Sequence, residues 1–512
     1  MKKVFFTFLL LLCAFAFSQS SDVVIYAFGS EMITLDPSTE FSNSIIVLNN
    51  VYETLTRFVD GEVIPILAES WSANEKGDIW TFKLRQGVKF HDGTEMTSED
   101  VKYSIERCIR LGQGPAYIWD SVESIKTPDD YTVVFELSYP ANIPLIAASG
   151  YGAFIFSSEV SKLGDDAEIA EWFNGGNEVG SGPYRLVKYD PKTQIVMKKF
   201  DDYWGGWTGD KFETAVIQIV PDPSLRTQMI LSNEVQITRD LIYDDIKVLE
   251  SNPNVVVLNE PAFQVLYLFF NTQKHPFNNA DFRKAVAYAI PFQDILRYVL
   301  MGYGRAPRGI IPQGMLGYAN HLPPLNQDMK KAEEYLEKSG IDPDSVNLVL
   351  TYMQSDEGEK KSCELIWSAL KKLGLNVEIR PMNWEQQWAL ARSDFQQAQD
   401  MFIMYWWPTI MSPYDFLFSM LHSEEEVLFN LCYYYNSEVD NLMDTAVTLE
   451  GIAPAKADSL YKQIETIVRE DMPIVPLYQI DDIYVMSKAV KNFDPNPAYP
   501  NVVFFYNVES AF

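Results

Sequence analysis

Four histidines, His91, His275, His321 and His422, stand far apart in this chain of 512 residues. Clustered metal sites usually show local pairs of ligands, and these show none. His91-Asp92 is an imidazole–carboxylate neighbour pair of the kind general acid–base chemistry uses. Gly93 follows it, and Gly93 is free to take positive φ, so the trio is read as a turn. The chain carries no Gly-rich phosphate loop ending in Lys-Ser/Thr, no HExxH, no G-x-S-x-G elbow and no calcium loop. Paired carboxylates for glycoside hydrolysis converge in space, so 70 acidic residues carry no signal for them. The chemistry-bearing side chains that do stand out are aromatic: 11 Trp, 28 Tyr and 31 Phe, densest from Met401 to Met420. Trp406 and Trp407 close a strand-like run before Pro408, so their rings face opposite sides. One ring packs under a helix. The other stands at the strand's carboxyl end, where ligands of such sheets lie. Trp384 and Trp388, four apart on a helix, share one face, which is either core or cleft wall.

The elements that must position these rings have their own signatures. Trp80, Phe82 and Leu84 alternate with Thr81, Lys83 and Arg85, the period of a half-buried strand. Thr97 stands three residues before Asp100, a capping-box-like start, and Val101, Ile105 and Cys108 mark one apolar helix face. Asp22 to Phe28 reads as a strand, and Asp165 to Gly182 as a polar, Gly-rich loop crossing between domains into a strand at Tyr184–Lys188. Another strand is expected at Gln194–Lys199. After Asn271 the rhythm changes. Helices are expected at Asp281–Ile290, from Asp328 to Gly340, and at Glu357–Leu373, Trp384–Ser393 and Ala455–Asp471. Strands are expected at Val346–Met353, Asn376–Met382 and Met401–Trp407, with another at MPIVPLY. Strand and helix in alternation make a parallel sheet covered by helices.

Composition sets the compartment. The amino terminus pairs Lys2 and Lys3 with an apolar run from Val4 to Phe17 and small residues after it, the pattern of a cleaved leader over residues 1–18. Cys13 lies inside that run behind Leu12, so no lipid anchor is expected there. The exported chain is acidic, with a net charge of −29 before cleavage, which repels phosphate backbones and excludes nucleic acid as a partner. Cys108, Cys363 and Cys432 remain, at no metal-ligand spacing and odd in number, and are read as buried small hydrophobes.

Four runs together resemble the family 5 extracytoplasmic solute-binding proteins, the dipeptide- and oligopeptide-binding subunits of ABC importers. They are LAESWSANEKGDIWTFKLRQGVKFHDGTEMTSEDVKYSIER from Leu67, GSGPYRLVKYDPKTQIVMKKFDDYWGG from Gly180, NTQKHPFNNADFRKAVAYAIPFQDI from Asn271, and EDMPIVPLY from Glu470. The resemblance implies an α/β, two-lobe periplasmic binding protein fold (class II, type C) with an additional inserted domain and a hinge. Its first lobe would comprise residues 19–57, 180–270 and 478–512, the inserted domain 58–179, and the second lobe 271–477. It implies a periplasmic, monomeric, non-catalytic protein without cofactor or metal, which encloses its ligand and presents it to the permease in the inner membrane.

One departure bears on the ligand. Peptide binders of this family resemble one another in a W-x-x-D-x-x-[DE]-P stretch whose aspartate pairs with the peptide's amino group. Thr409 stands at that position, after Trp406 and Trp407. Glu40, in the loop after Asp36-Pro37, is the substitute carboxylate. A short peptide is the expected ligand and an oligosaccharide the alternative, since a neutral sugar needs no charged anchor and stacks on indoles. An exported hydrolase is the remaining reading. The expected ligand residues are Glu40 and Phe41 from the first lobe and Trp384, Trp406, Trp407 and Thr409 from the second.

Overall fold

The computed structural model describes residues 22–424 and 427–511, so the expected leader, with Cys13, lies outside the described residues. Its spine is an 11-stranded mixed sheet that runs from one lobe into the other. Two long strands make the passage, Val255–Phe270 and Ile474–Ser487, paired antiparallel along most of their length. At one end Val255–Pro261 faces Asp481–Ser487, beside Ile237–Arg239 and then Val23–Phe28. At the other, Val265–Phe270 lies between Ile474–Gln479 and Met401–Trp406. The register slips between Pro261 and Val265. Pro261 has no N–H to give the ladder, and the carbonyl of Ala262 takes its bond from the buried Gln479 side chain at 2.8 Å.

The second lobe carries the strand–helix alternation legible in the sequence. Asn347–Met353 lies parallel to both Asn376–Met382 and Met401–Trp406. The sheet is mixed rather than parallel, because the crossing strand lies antiparallel against Met401–Trp406. That strand also ends at Trp406, opposite Val265, one residue earlier than expected. A four-stranded antiparallel sheet over Ala68–Leu137 stands apart with its own core, in which Trp119 stacks on Phe135 at 6.1 Å. The helix Ser98–Leu111 covers it. Thr97 N donates to Asp100 at 2.8 Å at its start, and Val101, Ile105 and Cys108 are buried on its inner face.

Residues 165–182 are not one loop. Asp166–Asn174 is a helix, capped by Asp165, which accepts from Ala167 N and Glu168 N at 3.0 Å. Only Ile169 and Phe173 bury on it, too short an apolar stripe to stand out beside four glycines. The GSGPY run after it is set by close approach: a Cβ on Gly180 would stand 2.0 Å from the Val51 carbonyl oxygen. In the following YW pair, Tyr203 and Trp204 donate to the buried Glu53 at 2.9 and 2.8 Å. His91 is held by Glu178 at 2.7 Å and the Gly182 carbonyl at 2.8 Å, so the turn holds the chain crossing in place. Cys108, Cys363 and Cys432 are all buried and unpaired.

Candidate functional site

A cavity of about 240 Å³ opens where the crossing strands slip, between the two halves of the sheet. Phe263 and Gln264 of the slipped segment line it. Phe41, Tyr151, Trp407 and Met411 line it as well. Phe41 is 44% exposed and set edge-on to Tyr151 with ring centroids 5.2 Å apart. Arg239 and Asp482 also line it as a buried ion pair at 2.9 Å. The guanidinium further donates to Asp240 at 3.1 Å and to the Tyr484 hydroxyl at 3.3 Å. Burial opposes the Arg239 charge, but Asp240 and Asp482 outweigh it and leave its pKa raised.

Of the residues singled out in the sequence, Phe41 and Trp407 meet in this cavity. Trp407 sits beyond the strand end, 42% exposed, and lines a second cavity as well. Trp384 lines only that second cavity, stacked on Trp388 with centroids 5.4 Å apart. Trp406 turns the other way and packs edge-on against Phe429 at 6.1 Å, half-buried in the core and lining neither space. Glu40 lines neither. It is fully buried, and one carboxylate oxygen takes Ser42 N, Ser42 Oγ and Ser44 N at 2.7–2.9 Å, shaping the loop before the helix Ile45–Val51.

Thr409 is buried, and each of its polar groups has a protein partner. Its Oγ1 accepts from Tyr117 at 2.5 Å, its carbonyl from Ser149 at 2.8 Å, and its N–H donates to Asp415 at 2.6 Å. Thr409 therefore ties the segment after Met401–Trp406 to Tyr117 and Ser149 in the first half of the chain. Sequence reasoning passed over Tyr117, Tyr151, Arg239, Asp415 and Asp482. Arg239 and Asp482 are 243 residues apart, and no local pattern joins them.

Asp415 belongs to a set of buried carboxyls. Burial pushes Asp415, Glu450 and Glu465 each up to about 7 and Glu359 to about 8. In the unfolded chain such groups titrate near 4. Between those values the folded chain binds more protons than the unfolded one, so stability falls as pH rises from about 4 to about 8 and is fully retained below that window. Calorimetry in high salt, where surface repulsion is screened, should give a melting temperature roughly 5 °C higher at pH 5.5 than at pH 8. A melting temperature that rises over that interval would contradict it.

Residues 62–426 match the profile of the bacterial extracellular solute-binding proteins, family 5 Middle. The chain is 31% identical over 490 residues to the probable D,D-dipeptide-binding periplasmic protein DdpA of Escherichia coli K12, covering 94% of this chain and 93% of that one. It is 27% identical over 500 residues to the glutathione-binding protein GsiB of Shigella dysenteriae, covering 95% and 94% respectively. In fold it superposes on the periplasmic binding protein DppA of Helicobacter pylori, solved with the peptide STSA. The TM-score is 0.80 at 24% identity, over 96% of this chain and 98% of the other.

Proposed function

The chain belongs to the family 5 bacterial extracellular solute-binding proteins, and on that premise we propose that it captures a short peptide in the cleft between its lobes and hands it to an ABC importer permease. The observation that carries the reading is the 240 Å³ cavity at the strand slip, lined both by Phe41 and Tyr151 from early in the chain and by Trp407 from late in it. A ligand there touches both lobes and the segment about which they turn, so its contacts favour the closed arrangement. The site joins aromatic and apolar side chains to fixed polar ones, Ser42, Asn43, Gln264, Asn501 and the Arg239–Asp482 pair, which suits a peptide's amides beside its side chains. The protein is read as a carrier and not an enzyme.

The relatives named for a D,D-dipeptide and for glutathione support a peptide over a sugar. The sugar alternative drew on Thr409 as a neutral hydrogen-bonding group, and that residue's polar groups are engaged by Tyr117, Ser149 and Asp415. The lobes that turn are taken as residues 19–57, 180–270 and 478–512 against residues 271–477, with residues 58–179 as the inserted domain. The separate sheet over Ala68–Leu137 and the crossing strands at Val255–Phe270 and Ile474–Ser487 support those limits. Among the described residues no helix is long and apolar enough to cross a membrane. A monomer exported by cleavage of residues 1–18 completes the reading.

The test is a thermal-shift panel on the refolded, ligand-stripped protein, setting di- to tetrapeptides against β-linked oligosaccharides. A ligand at a hundred times its Kd adds about 2.7 kcal/mol to stability. Stabilisation by peptides alone is expected; stabilisation by sugars alone would overturn the assignment. Tyr117→Phe removes the bond to Thr409, beside the cavity-lining Trp407 and Met411, and should weaken peptide affinity about 5-fold, mostly through faster release. Isothermal titration and stopped-flow release check it, and an unchanged release rate would remove Tyr117 from the closure contact.

A further inference from the structure

The second cavity, about 440 Å³, shares Trp407 and Gln264 with the first. Its charged lining is entirely acidic: Asp356 and Glu359, with no lysine, arginine or histidine among its walls. Asp356 starts the helix Glu357–Lys372, its Oδ1 accepting from Glu359 N at 2.8 Å. Glu359 is 1% exposed and takes a single backbone donor, Met353 N, at 2.6 Å. Glu359 is buried and Asp356 half-buried, and burial lifts the pKa of both, so a positive charge brought against them favours their ionised forms and displaces the proton Glu359 holds.

The neighbouring cations do not fill that role. Arg305 is paired with Asp481, Arg239 with Asp482, and Lys360 with Glu357. Beside the carboxyls stand two indoles about two-fifths exposed, Trp384 and Trp407, the first held in place by its stack on Trp388. An indole face is the best aromatic partner for an ammonium or guanidinium. Gly358 keeps the ground beside Asp356 open, since a Cβ there would stand 3.1 Å from Asp356 Oδ1 and 3.5 Å from the Tyr405 and Tyr478 hydroxyls.

We propose that this cavity is a cation subsite, which takes the ammonium or guanidinium of a basic residue of the bound peptide against Asp356 and Glu359, between the indoles of Trp384 and Trp407. The proposal rests on the reading of the cleft as a peptide site and narrows it to peptides with a basic side chain. A ligand carboxylate in this position would meet two acidic groups and be rejected.

The experiment is isothermal titration of the refolded protein with alanine tripeptides in which lysine, norleucine or glutamate is scanned through the three positions. At one position lysine should bind ~10-fold or more tighter than norleucine, and glutamate weakest of the three. In the Asp356→Asn/Glu359→Gln variant, whose amides can still accept the same backbone N–H groups, that preference should shrink to about 3-fold or less, with norleucine affinity kept. If the double variant does not fold, Asp356→Asn alone, which keeps the helix cap, carries the comparison. Equal binding of lysine and norleucine at every position overturns the subsite while leaving the peptide assignment standing. An equal loss for both peptides in the variant overturns the roles of the two carboxyls. No binding by any tripeptide overturns both readings.

Discussion

Trp407→Ala is expected to weaken binding of whichever peptide stabilises the protein by roughly 30- to 100-fold, with the melting temperature almost unchanged. The ring is 42% exposed and stands just past the end of Met401–Trp406, where it walls both cavities. Removing it takes away ~2–3 kcal/mol of contact with a ligand enclosed there. The free protein loses little, because much of the ring already faces solvent. Trp406→Ala is the matched control. That ring packs against Phe429 and the main core, so its loss should lower the melting temperature by several degrees and leave the cavity walls standing. Calorimetry with isothermal titration separates the two. A large melting shift for Trp407→Ala with unchanged affinity would return that ring to the core.

Arg107→Met is expected to destabilise the protein by ~3–5 kcal/mol, a fall in melting temperature of about 3–5 °C for a chain of this length. Arg107 has no exposure and grips the Asp36 carboxylate with two bonds, at 2.6 and 2.7 Å, beneath a further contact to Asp166 at 3.3 Å. The methionine fills the space but leaves Asp36 as a buried anion without its partner. Adding Asp36→Asn should recover part of the loss, because the stranded charge is then gone. The effect should reach the ligand as well. The Asp36 carbonyl accepts from Thr39 N and Glu40 N at 3.1 and 2.9 Å, so it shapes the turn that presents Phe41. A single variant as stable as the wild type would mean that the pair contributes only placement.

What was legible in the sequence was whatever short-range physics decides. Thr97 and Asp100 are three residues apart, and their mutual capping needs no distant partner. Asn376–Met382 begins and ends as expected because a helix closes before it and an Asn-capped helix follows. The opposite facing of Trp406 and Trp407 follows from the two-residue period of a strand and the stop at Pro408. Glu40 and Thr409 show where such reasoning ends. Both were singled out for what their side chains can offer a ligand, and both have bonds within the protein that reach Ser42 and Ser44 in one case and Tyr117, Ser149 and Asp415 in the other. Glu40 turns its carboxylate on its own loop, two and four residues on, while Thr409 meets Tyr117 and Ser149 from segments 292 and 260 positions away. The acidic character of the second cavity was hidden for a similar reason. Asp356 and Glu359 look like an ordinary acidic helix start, and only the fold brings Trp384 and Trp407 over them.

The slip in the paired strands at Pro261–Val265 also links the two cavities. Phe263 and Gln264 fall where the ladder is interrupted and line the first cavity, and Gln264 lines the second as well. Two spaces thus share one gap in the ladder, and an occupant of either leans on side chains, Gln264 and Trp407, that also border the other.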